Sequence, residues 1–133
     1  MGSKDIKLES IGYVIMFVRD VAKAAEFYRD KLGIAHGDMN PEWMELRTKG
    51  VTLALHRSDE PPPHHVPGIP DVVFNVEDVM ATHAALEARG VEIHEVHQVW
   101  ESPEVIGLAA AFHDLDGNRM SLHGTVPRSK WKG

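Results

Sequence analysis

The chain has 133 residues, 43% hydrophobic and 26% charged, which suits one globular domain with a sizeable core and leaves no room for a second. Its formal charge is −6 and its basic residues are scattered, arguing against nucleic acid as a partner. No run approaches the roughly 20 apolar residues of a membrane span, Met1 to Asp5 lacks the apolar stretch of a secretory signal, and no cysteine is present, so a cytoplasmic protein without disulfides or thiolate chemistry is expected.

Residues 11–18 form an apolar run rich in β-branched and aromatic side chains, the pattern of a strand covered on both faces. Asp20 is placed to cap a helix with the stripe Val21, Ala24, Ala25, Tyr28 and Leu32, and Gly33 stops it. Extended segments follow near 34–39, 42–47 and 51–56, the last two joined by a tight turn at Lys49 and Gly50. Residues 58–70, with Pro61, Pro62, Pro63, Pro67 and Pro70 around His64 and His65, read as a connector. A second apolar strand spans Asp71 to Val76. Asp78 precedes a helix ended by Arg89 and Gly90, and strands follow near 91–99, 106–113 and 117–123.

A shift of 58 residues sets Val18 on Val76, Asp20 on Asp78, Val21 on Val79 and Tyr28 on Leu86. Strand end, cap and helical stripe coincide in register, so the chain reads βαβββ twice. Repeat one covers about 10–57 and repeat two about 71–124, with 58–70 between them and a C-terminal tail at 125–133.

Two stretches carry a family resemblance: Val18 to Val21 leading to Glu26-Phe27-Tyr28 and Lys31-Leu32-Gly33, and Phe112 to Asn118 before the last strand. From about Ser10 to Gly124 the sequence resembles the vicinal oxygen chelate superfamily, which includes glyoxalase I, fosfomycin and bleomycin resistance proteins, methylmalonyl-CoA epimerase and extradiol dioxygenases. The resemblance implies an α+β fold in which the two βαβββ repeats form an eight-stranded, cup-like open barrel with a helix outside each half. It also implies a homodimer whose cups draw on both chains. Family enzymes hold a divalent metal at four positions, which transfer here to Tyr13, Leu53, Asp71 and Ser121. Only Asp71 has suitable ligand chemistry, and shifting Leu53 to Thr52 or Ala54 restores nothing, so no metal or other cofactor is expected.

Alternation along strands assigns the cup lining. Val14, Met16 and Val18 should meet the first helix, leaving Tyr13, Ile15 and Phe17, and by the repeat Asp71, Val73 and Asn75, to face the cup. In the hairpin Leu46 stands opposite Leu53 and Met44 opposite Leu55, with Trp43, Glu45, Arg47, Thr52 and His56 on the other side. Taking the apolar side as the wall, and Arg119, Ser121 and His123 as inward residues of the last strand, the candidate binding set is Tyr13, Phe17, Leu46, Leu53, Leu55, Asp71, Asn75, Ser121 and His123. That mixture suits a protein of the bleomycin-resistance type that binds or sequesters a small, partly apolar compound. The alternative is a lyase, isomerase or dioxygenase with a rearranged site, Asp71 acting as base and His123 as acid, or the two sharing a metal. Trp100 is read either as an edge-strand anchor or as a stacking surface for a flat ligand.

Overall fold

The apolar run folds as β1 (Tyr13–Val18), and Asp20 caps α1 (Val21–Asp30) by accepting the Lys23 amide at 3.0 Å. Gly33, at φ 73°, turns the chain into β2 (His36–Asn40), β3 (Trp43–Leu46) and β4 (Thr52–Arg57). The computed structural model describes residues 6–60 and 71–133; the expected connector falls largely outside them, with His64 and His65. The second repeat runs through β5 (Val72–Asn75), α2 (Val79–Ala88), β6 (His97–Glu101), β7 (Val105–His113) and β8 (Arg119–Pro127). Asp78 caps α2 through the Ala81 amide at 2.9 Å, as Asp20 caps α1.

The expected boundaries differ most in the second repeat. The strand expected at 91–99 reduces to an isolated bridge between Ile93 and Phe112, and β6 begins only at His97. The last strand continues beyond Gly124 to Pro127, because β7 starts at Val105 and supplies a partner for every added residue.

The sheet orders are β1-β4-β3-β2 and β5-β8-β7-β6, each with one parallel pair and two antiparallel pairs. The sequence repeat is therefore a repeat of topology. The two mixed sheets stay open and form a cup with a helix outside each half, an α+β architecture. The α1 stripe Val21, Ala24, Ala25 and Tyr28 packs in one core with Met16, Val18, Met44, Leu46, Leu53 and Leu55, and that core continues into Phe112, Met120 and Leu122 of the second repeat. Among the described residues no helix is long and apolar enough to cross a membrane.

Hydrogen bonds at the β7–β8 turn lock the repeats together. The buried Tyr28 hydroxyl donates to Asp114 at 2.7 Å, Asn118 Nδ2 donates to the Phe17 carbonyl at 3.0 Å, and the Arg19 amide donates to Asp116 at 3.0 Å. Asp114, also buried, accepts the amides of Asp116 and Asn118 at 2.9 Å, so its carboxylate is satisfied without a basic partner. Burial, and then the Asp114 charge, push the Tyr28 phenol well above its usual pKa.

Candidate functional site

Residues paired across a ladder share a face, so register assigns the two sides of the first sheet. Tyr13, Ile15 and Phe17 pair with Thr52, Ala54 and His56, and Glu45 and Trp43 pair with Ala54 and His56. This face is open. On the opposite face Val14 and Met16 pair with Leu53 and Leu55, and Met44 with Leu55. Leu46, Leu53 and Leu55 are 2%, 3% and 0% exposed and belong to the core with α1, so they do not form the open wall expected of them, although Leu53 reaches the lining of the cleft between β1 and β5. The hairpin register itself stands. The face reverses because parallel pairing ties Leu53 and Leu55 to the side of β1 that the helix already covers.

The open face of this sheet is aromatic around the Glu45 carboxylate, with Arg47 just beyond β3 on the same side. Trp43 Nε1 donates to Glu45 Oε2 at 3.1 Å, and the Tyr13 hydroxyl lies 3.5 Å from the same oxygen. Tyr13, Trp43, His56 and Phe17 follow one another in ring contacts of 5.7 to 6.1 Å. Alternation groups Trp43, Glu45 and His56 on one side, outside the candidate binding set. The signal that would have included them is that the helix stripe needs the apolar face.

On the second sheet Val73 stands beside Ser121, and Asn75 beside His123. His123 Nε2 lies 3.0 Å from Trp100 Nε1, and His123 Nδ1 lies 3.2 Å from Asn75 Oδ1. An indole N–H only donates, so Nε2 accepts, and the neutral ring carries its hydrogen on Nδ1 and donates to Asn75. Both nitrogens are engaged, which leaves His123 no lone pair for a metal. Trp100 lies flat over Gly107, where a Cβ would come within 2.2 Å of the indole Cε2. A register shift between Gln98 and Trp100 brings the indole to that position. The residue as a whole remains 42% exposed, so Trp100 is both a strand residue and an accessible aromatic surface.

Asp71 bonds to Arg119 at 3.1 Å, while His123 lies four residues farther along β8, about 13 Å at the rise of a strand. The expected Asp71 and His123 pair does not form. The four family positions also fail to assemble a donor set for a divalent ion. Leu53 is in the core, the Tyr13 hydroxyl turns to Glu45, Asp71 is held by Arg119, and Ser121 is a neutral hydroxyl beside Val73. Between the free edges of β1 and β5 runs a cleft of about 560 Å³, with apolar walls from Ile15, Phe17 and Val73 and polar ends at Lys49, Asp71 and Arg119. Its volume falls within the range typical of small-molecule sites.

The Glyoxalase/Bleomycin resistance protein/Dioxygenase superfamily model matches residues 10–122. The chain is 31% identical to the uncharacterised protein YetH of Bacillus subtilis (strain 168), in an alignment covering 84% of this chain and 94% of that one. Its fold is similar to the crystal structure of SMU.1112c, with TM-score 0.72 and 27% identity over 88% of this chain and 99% of the other. It is also similar to TnmS3, an antibiotic binding protein from Streptomyces sp. CB03234, with TM-score 0.64 and 25% identity over 91% and 99% of the two chains. Repeat, topology and these likenesses agree: the chain belongs to the Glyoxalase/Bleomycin resistance protein/Dioxygenase superfamily.

Proposed function

We propose that this protein binds and sequesters a small, partly apolar molecule in its cup, and that it does so without the metal of the family's enzymes. The observation that carries the reading is the Trp100 indole, seated on Gly107, held by the Asn75 and His123 chain and still accessible. A flat ligand stacked there meets a surface already ordered, so little side-chain entropy is lost on binding. Asn75, Ser121 and the Asp71 and Arg119 pair supply polar contacts, while Tyr13, Phe17 and the cleft supply apolar ones. The likeness to TnmS3 supports the same reading. The β5–β8 register, which sets Asp71 against Arg119 and away from His123, supports this reading over the acid–base alternative. Exposed Tyr13, Ile15, Phe17 and Val73 support a homodimer that shields these faces, checked by light scattering on the purified protein.

The test is a panel of flat natural products titrated against the protein by tryptophan fluorescence and calorimetry. At least one should bind, and Trp100→Ala should weaken it by about tenfold, as expected for loss of an aromatic contact and its buried area. Tight binding that survives Trp100→Ala, or turnover of a panel member on adding a divalent metal, would overturn the proposal.

A further inference from the structure

We infer that the open face of the first sheet is a subsite for an organic cation, a substituted ammonium group carried by the bound molecule; this rests on the reading of the cup as a ligand site. Three strands contribute its walls. Trp43 meets the Tyr13 ring at 5.9 Å and 68° and the His56 ring at 6.1 Å and 86°, so both stand steeply to the indole as walls rather than stacking on it. Phe17 extends the His56 side at 5.7 Å. The His56 ring is itself anchored, its Nδ1 donating to the Arg57 carbonyl at 2.8 Å.

Glu45 lies within this frame, half-buried, in the row of Ile15 and the fully buried Ala54. The Trp43 indole and the Tyr13 hydroxyl orient its carboxylate, but neither donor brings positive charge. Elsewhere on these sheets carboxylates meet arginines: Glu42 and Asp59 lie against Arg57, and Asp71 against Arg119. Among the described residues no basic side chain forms an ion pair with Glu45; Arg47, two residues along the same face, lays its guanidinium against Gly37 instead.

An oriented carboxylate that forms no ion pair, set among four aromatic rings, favours a cation over any other occupant. A neutral apolar group would strip water from Glu45 and return nothing for it. A substituted ammonium is the best match, because its methyl groups fill the apolar frame and its weak hydration makes transfer from water inexpensive.

Two probes of one shape separate charge from size: choline and its neutral isostere 3,3-dimethylbutan-1-ol, each titrated against the full chain while the Trp43 indole N–H is followed by NMR. Choline should shift that signal, and the alcohol should need about tenfold more to match it. Glu45→Gln keeps an acceptor for Trp43 and Tyr13 and removes only the charge. It should weaken choline about tenfold and leave the alcohol bound no more weakly than before. Equal binding of the two probes, or choline binding unaffected by Glu45→Gln, would overturn the inference. A flat neutral probe, caffeine, followed at the Trp100 indole in the same spectra reports on the binding site as such. A Trp100 response beside a failed choline test would leave the ligand site standing and remove the cation subsite alone.

Discussion

Gly107→Ala should dislodge the indole surface while leaving the fold in place. The new Cβ would lie 2.2 Å from Trp100 Cε2 and 2.3 Å from Nε1, where carbon contacts normally settle at about 3.5–4.0 Å. The ring has to move by roughly 1.5 Å, which breaks the 3.0 Å bond to His123. Losing that bond costs about 1 kcal/mol. Lifting the ring uncovers on the order of 100 Å², which costs about 2.5 kcal/mol at 25 cal/mol per Å². Against this, alanine restricts the unfolded chain and returns about 0.4–1 kcal/mol. The net loss is about 2.5–3 kcal/mol, read from urea denaturation with an unchanged m-value. In a Trp100→Ala background the same substitution should be neutral or stabilising, because nothing remains to be displaced. Equal destabilisation in both backgrounds would refute the close-packing argument.

Tyr28→Phe removes the buried bond to Asp114 and should cost about 1.5–3 kcal/mol, measured by denaturation at neutral pH. The folded state holds the Tyr28 proton more tightly than the unfolded chain does, so wild-type stability should fall as pH rises above about 10, and Tyr28→Phe should flatten that limb; an unaltered limb would contradict the linkage. Asp116 has its pKa raised, first by desolvation and in part by the charges of Asp114 and Asp20, with the Arg19 amide opposing. Its contribution is therefore present in acid and lost as pH rises through the folded-state pKa. Asp116→Asn keeps an acceptor for the Arg19 amide and should remove that decline, and parallel pH profiles of urea midpoints for variant and wild type would refute it.

Signals within a few residues of one another were legible in the sequence. Asp20 and Asp78 announce helix starts, Gly33 announces a stop, and both caps bond in the structure as their chemistry requires. The spacing around Lys49 and Gly50 gives the β3–β4 register correctly, with Met44 opposite Leu55. The 58-residue repeat likewise becomes one strand order used twice.

What the sequence determined by itself is thus the unit, its duplication and the two alternating sets of side chains on each strand. Only the tertiary structure decided which set is covered. Alternation separates Leu53 and Leu55 from Thr52 and His56 but carries no sign, and the sign comes from β1, whose parallel pairing places both leucines beside Val14 and Met16 under α1. Strand register also set Asp71 against Arg119 and His123 against Asn75, separating two groups that a shared face had suggested would meet. Trp100, Gly107 and His123 gave no common signal at all. Three strands, one with a shifted register, bring them together, and contacts of that kind depend on backbone pairing that no local pattern encodes.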